Sequence, residues 1–279
     1  VYSFAPDSYV VHVRGTVQGV TGPAFLLVDL PSTLRVTEKD SLEHFTNLSF
    51  AVKPQTKDAR GVAFAKLDPG EREVIPGPIT WGVTKSKYFI VGALATPALP
   101  FTEMTVAGGV RTSKVATRGT ATLVQALANG GFAFDLYAGP QEWRQLSSMG
   151  RDFENENPYG GWLQGIVQPF ATMVIRALLW MHDTFNLSYG WVLVVFGVLV
   201  RLVLWPLQQG AMRSQLKMQR VQPQLQAVQE RYKGDPQKLQ QEMMKVYAEH
   251  GMSPFSALSG CLPMLIPLPI FFALFFVFQ

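Results

Sequence analysis

Hydrophobic and polar residues alternate in short runs through the first half of this chain, then give way to long apolar stretches in the second. Residues 9–14, 24–30, 61–67, 88–94, 120–127 and 131–138 are rich in Val, Phe, Tyr or alternating apolar positions, with Gly, Pro, Asn and Asp in the gaps. A period of two puts one face of a strand in a core and the other in water. Asn129-Gly130 between two such runs is a short hairpin signal. Residues 1–157 are therefore expected to form an antiparallel all-β sandwich.

After Trp143 the chain turns polar, with Asp152, Glu154 and Glu156 ahead of a helical stripe. Leu163, Ile166, Val167, Phe170, Val174, Ala177, Leu178 and Met181 step by three and four, and Trp162 and Trp180 suit a water–lipid boundary. This predicts an amphipathic interfacial helix over 158–182, or else a helix packed on the sandwich, with Pro169 kinking or restarting it. Residues 187–207 and 258–279 are apolar runs of membrane-spanning length. Between them, 208–257 reads as a helical hairpin. One arm carries Met212, Leu216, Val221, Leu225, Val228 and Tyr232; the other carries Leu239, Met243, Val246, Tyr247 and His250. At the turn Lys233-Gly234-Asp235-Pro236, Gly ends one helix, Asp caps the next and Pro takes its first position. Facing stripes predict a small coiled-coil-like arm, kinked or restarted at Pro223.

Charge orients these elements. Residues 208–257 hold seven Lys/Arg (Arg213, Lys217, Arg220, Arg231, Lys233, Lys238, Lys245) against four acids, while 151–190 hold only Arg151 and Arg176. By the positive-inside rule 208–257 is cytoplasmic and the β-domain lies outside, which in a bacterium is the periplasm. A net charge of +4, scattered along the chain, does not argue for nucleic acid. The one cysteine, Cys261, excludes an intrachain disulfide and suits a small packing residue. His12 and His44 read as ordinary surface histidines of the β-domain. No metal-ligand spacing, nucleophile elbow or phosphate-cradling glycine motif accompanies them, so neither an enzyme nor a cofactor is expected. Val1 opens without a signal segment and Gln279 closes an apolar run, which reads as part of a larger membrane protein.

Arg201 is the only charge in 187–207. A guanidinium keeps its charge at any biological pH, and placing it in a bilayer costs at least ~2.5 kcal/mol. Positions four before, four after and seven after share its helix face, so Gly197, Arg201, Trp205 and Gln208 form one strip. Such a strip either lines a hydrophilic groove or lets Arg201 snorkel to the headgroups. Pro263, Pro267 and Pro269 crowd the second apolar run, where they suit a mobile or a merely bent helix.

An ordered series of short motifs narrows this. It runs from Gly139-Pro140-Gln141-Glu142 through Tyr159-Gly160-Gly161-Trp162, Gln168-Pro169, Trp180-Met181-His182 and Tyr189-Gly190 to Val200-Arg201 and Trp205-Pro206-Leu207. It continues with Lys217-Met218, Gln222-Pro223, Gln240-Gln241-Glu242-Met243-Met244, Gly260-Cys261-Leu262-Pro263-Met264-Leu265-Ile266 and Pro269-Ile270-Phe271. In this series, about half the chain, the sequence resembles the YidC-type membrane protein insertases. The resemblance implies a multi-pass protein of the bacterial inner membrane with a periplasmic β-supersandwich, a surface helix, five core spans and a cytoplasmic helical hairpin. Only the first two core spans would lie within this chain. It implies insertion and folding of nascent membrane proteins, alone or with the Sec translocon, with the ribosome and membrane lipids as further partners. The family's intramembrane arginine falls on Arg201, and Gly197 stands where the best-known bacterial members carry a hydroxyl. Two rival readings are a channel or transporter fragment, which calls for more polar groups in both spans, and a membrane-tethered carbohydrate-binding or sugar-active sandwich, which calls for a convergent acid–base set.

Overall fold

The computed structural model describes residues 1–279 except 7, 20, 37, 38, 40, 113, 114, 158–163, 250–267, 269, 270, 273 and 276–279. At 166, 207, 208, 210, 211, 213–218, 220, 236, 247 and 249 it describes the backbone alone. The second apolar run therefore lies largely outside the described residues. Two units are present, Val1–Pro158 and Tyr159–Gln279.

The first unit is built from β1 (Tyr2–Phe4), β2 (Val10–Thr16), β3 (Phe25–Leu30), α1 (Ser41–Thr46), β4 (Ser49–Pro54), β5 (Arg60–Ala63), β6 (Arg72–Lys85), β7 (Phe89–Ala95), β8 (Phe101–Gly108), β9 (Arg111–Thr112), β10 (Val115–Ala116), β11 (Gly119–Ala126), β12 (Gly131–Pro140) and α2 (Trp143–Ser148). In place of the two stacked sheets of a sandwich, ten strands form one hydrogen-bonded sheet, ordered β1-β2-β12-β7-β6-β8-β11-β3, with β4 on β6 and β5 on β4. Val13, Phe134, Ala93, Ile79, Met104, Leu123 and Leu30, drawn from nearly the whole length of that order, meet in one buried cluster. A sheet whose distant strands share a core must curl around it, and β3 and β7 touch although three strands separate them.

The long strand β6 makes the curl possible. Ile75 and Ile79 face the inside of the curl, yet Trp81 and Val83, of the same parity, belong to a second cluster on the other face. The register shift opposite Pro54, where one residue is skipped between Ile79 and Trp81, accounts for the reversal, because one extra residue exchanges the two faces of a strand. The sequence of β6 hid this strand: Pro76-Gly77-Pro78 reads as a break. The outer cluster is covered by Leu146 and Met149 and by Phe153, whose ring packs edge-on to Trp81 and Tyr137.

The Asn129-Gly130 turn forms as expected, both residues at positive φ and Ala128 and Gly131 exchanging backbone hydrogen bonds of 3.0 and 2.8 Å. It does not close a hairpin. β11 pairs with β3 and β8, and β12 pairs with β2 and β7, so the turn carries the chain from one limb of the sheet to another.

The second unit holds α3 (Gln164–Phe185), α4 (Tyr189–Arg231) and α5 (Pro236–Glu249). Helix α3 runs through Pro169 and buries Val167, Ala171, Val174, Leu178 and Met181, spaced by four and three. This seam packs with Val192, Leu187, Phe196 and Leu274. It is narrower than the predicted stripe: Phe170 lies on its flank and faces outward with Met173 and Trp180. Helix α4 is continuous across the expected boundary at 207/208, with Pro206 and Pro223 inside it. Each proline removes one donor, and no stop signal stands beside either to end the helix.

The hairpin turn is built as its sequence indicates. Asp235 Oδ1 accepts the Lys238 N–H at 3.2 Å, capping α5, and Pro236 takes the first helical position. Gly234, though, is not among the left-handed glycines; Tyr232 closes α4 by donating to Val228 O. Val221 and Leu225 pack with Met243 and Val246, so the arms meet next to the turn. Met212 is exposed, and the side chains of Leu216, Tyr247 and His250 lie outside the described residues.

Candidate functional site

Helix α4 presents two adjacent stripes. Val192, Phe196, Val200 and Leu204, four residues apart, are buried or half-buried. One residue on, about 100° around the helix, Gly197, Arg201 and Trp205 are all exposed. The backbone of Gln208 continues this strip in α4, while its side chain lies outside the described residues. Among the described residues nothing stands within 4 Å of where a Cβ on Gly197 would project, apart from its own helix backbone. Trp205 is 55% exposed. Among the described residues no carboxylate lies within ion-pair distance of Arg201.

The surroundings of this strip are apolar. Tyr189–Pro206 is long and apolar enough to cross a bilayer, about 27 Å at 1.5 Å per residue, and it is the one such helix among the described residues. Val194, Val198, Leu202 and Val203 are exposed around it, Val203 by 71%. An exposed apolar belt of that size marks a surface made for lipid or for other helices. A guanidinium in this setting is a fixed, unneutralisable charge beside a hydrocarbon-seeking face.

The β-domain carries buried polar groups that sequence spacing did not reveal. Asp135 on β12 meets His12 Nδ1 at 2.6 Å and Arg151 at 2.8 Å. Arg151 also donates to Ala95 O at 3.1 Å and accepts from Trp81 Nε1 at 3.0 Å. Partial burial pushes the Asp135 carboxyl up, but the hydrogen bonds and charges of His12 and Arg151 outweigh it and hold the group below the usual carboxylate range. Glu156 is 3% exposed; burial raises its pKa, and Lys85, itself lowered by burial, partly offsets that. His44, expected at the surface, is buried and bonded to Leu34 O at 3.1 Å, because α1 folds its side chain inward. Among the described residues no group of three His, Cys, Asp or Glu is placed to hold a metal.

Comparison with known proteins decides between the readings. The YidC periplasmic domain family matches residues 1–173. The chain belongs to the YidC family.

A second family, the 60Kd inner membrane protein, matches residues 180–279, which include the Arg201 strip. The membrane protein insertase YidC of Chlorobaculum tepidum is 30% identical over 294 residues, covering 100% of this chain and 47% of that protein. That of Chloroherpeton thalassium is 31% identical over 289 residues, with 100% and 48% covered. That of Syntrophus aciditrophicus is 27% identical over 240 residues, with 85% and 41% covered. The chain thus spans about half the length of the curated YidC relatives it matches. Its curled sheet is a β-rich domain of the YidC periplasmic type, and a helical region with one membrane-length helix among the described residues follows it.

Proposed function

We propose that this chain takes part in inserting membrane proteins, with Gly197, Arg201, Trp205 and Gln208 forming its share of a hydrophilic groove inside the bilayer. The observation that carries this reading is Arg201: the only charged side chain of Tyr189–Pro206, exposed on a helix otherwise suited to lipid. In this reading the curled sheet lies in the periplasm and α3 is the core of an interfacial helix over 158–182. Residues 187–207 are the first span, 208–257 a cytoplasmic hairpin and 258–279 a second span. The Lys/Arg excess of 208–257 and the exposed Trp180, Trp191 and Trp205 support that placement.

The chemistry is non-covalent. A nascent membrane protein brings a hydrophilic, often acidic segment to the groove, and Arg201 attracts it. Two unit charges 4 Å apart gain ~1 kcal/mol in water and ~4 kcal/mol at an effective dielectric of 20, so a partly dehydrated groove strengthens the contact. The acidic segment moves outward while the apolar segment slides into lipid, where hydrophobic transfer and the membrane potential supply the free energy. Nascent membrane proteins, the Sec translocon, the ribosome and membrane lipids are the proposed partners.

The test is insertion of a substrate with an acidic translocated segment, followed by protease protection. Arg201→Ala is expected to reduce it by about tenfold or more, since 1.4 kcal/mol corresponds to tenfold, while Arg201→Lys keeps most of it. Undiminished insertion by Arg201→Ala rejects the groove.

A further inference from the structure

The segment that follows α2 covers the outer face of the sheet and is fastened in two different ways. Gly150, Arg151 and Asp152 are successive residues at positive φ, 67°, 62° and 55°, a backbone that L-residues adopt at a cost. The sheet secures them. Trp81 Nε1 donates to Arg151 O, the Arg151 guanidinium meets Asp135, Lys53 pairs with Asp152 at 3.3 Å, and the Phe153 ring is fully buried. Three residues on, the fastening is a buried carboxyl. Glu156 has one oxygen accepting from Asn157 Nδ2 at 3.1 Å and the other without a hydrogen-bond partner. Asn157 Nδ2 also donates to Gln141 Oε1 at 3.0 Å, and Gln141 Nε2 to Ser86 O at 2.6 Å, so this end is tied back to the β6–β7 turn. Lys85 of β6 is buried and acts on Glu156 by its charge, yet among the described residues it forms no ion pair within 4 Å. Tyr137 of β12, Glu142 ahead of α2 and Glu154 of the same segment are the other titratable groups of this corner. One residue after Asn157 the unit ends, and the next element in sequence is α3.

We propose that this end of the segment is a proton-operated latch: Glu156 holds it down as a carboxylic acid, and loss of that proton lets residues 154–157 lift while Arg151 and Phe153 stay seated. A buried carboxylate is ordinarily met by several donors or a paired cation; one with an unpartnered oxygen and no ion pair is better accommodated neutral. Burial accordingly pushes the Glu156 carboxyl up to about 7, while Lys85 and the Glu156 and Asn157 N–H groups act the other way without cancelling it. Burial lowers Lys85 as well, so the corner resists both charges. The raised value sets the direction. Docking is strongest below the ordinary carboxylate range near 4.3 and weakens as pH rises through about 7. Asp135, whose carboxyl is held low, contributes only to the opposite loss in acid. Lifting 154–157 adds four residues, about 13 Å of extended chain, to the connection that leads to α3.

Amide hydrogen exchange of the full chain in detergent micelles, read by mass spectrometry and corrected for the intrinsic effect of pH, tests the latch. Peptides over 154–157 report the N–H groups of Asn155 and Glu156, which donate to Asp152 O and Phe153 O; peptides from β8 and β11 report the sheet. Between about pH 5.5 and about pH 7.5, protection at 154–157 is expected to fall by about tenfold, the change one proton brings per pH unit. Protection in β8 and β11 is expected to hold. Glu156→Gln, which cannot ionise, is expected to abolish the fall with His12, Lys85 and Asp135 still in place. Equal wild-type protection at both pH values, or the same fall in Glu156→Gln, overturns the latch. A parallel fall in β8 and β11 overturns it too, because the whole domain is then opening.

Discussion

A single carboxylate, Asp135, joins two strands to the segment that covers the outer face of the sheet. Its depressed pKa sets a direction for stability. Because the folded value lies below the unfolded one near 3.9, Asp135 stabilises the fold above about pH 4, and that contribution disappears as pH falls through the folded value. Wild type and Asp135→Asn are therefore expected to differ in urea midpoint at neutral pH and to converge in acid. Glu156 and Lys85 behave oppositely: burial works against each charge, and each is tolerated because of the other. Lys85→Met alone is expected to destabilise the β-domain by on the order of 3 kcal/mol, and Lys85→Met with Glu156→Gln to recover most of it, as read by thermal unfolding. None of this was legible in the sequence. His12 and Asp135 are 123 residues apart, and Asp135 and Arg151 are 16 apart with the end of β12 and all of α2 between them, so only the fold makes them neighbours. Arg201 is the contrary case. Its signal was local, a charge in the wrong solvent, and one helix suffices to show it.

Elements were legible where their signals were local and misjudged where pairing decided. Asp235-Pro236 announces the start of α5, and the cap forms. Asp235→Ala is expected to cost that helix about 1 kcal/mol, read as faster amide hydrogen exchange at Lys238 and Leu239. The seam of α3 followed from spacing, but its width did not: which flank of a helix is covered depends on the partner, here Val192 and Phe196 of α4. Asn129-Gly130 fixed a turn and not the pairing of its flanking strands. β6 stayed hidden because Pro76 and Pro78, residues that normally end strands, here sit at a register shift inside one. For α4, the proposed groove calls for one face to meet substrate and another to meet lipid. Positions 203 and 205 lie about 200° apart on a helix, so a photo-crosslinker at Trp205 is expected to capture a nascent chain while one at Val203 captures lipid. Equal capture at both positions counts against a one-sided groove.

Across the whole chain, a β-rich unit followed by a helical one was expected from the change in patterning, and the described residues show that order. The sandwich became one curled sheet because strand order is a non-local property: β2 pairs with β12 across more than a hundred residues. The continuity of α4 has a mechanical meaning. From Arg201 to Arg231 is thirty residues of one rod, about 45 Å, whose far end is gripped by α5 through Val221, Leu225, Met243 and Val246. Compliance is concentrated at Pro206 and Pro223, where the backbone lacks a donor. In the proposed insertion role, a partner that takes hold of the arm shifts Arg201 within the proposed groove through the bend at Pro206, at a distance and without touching it.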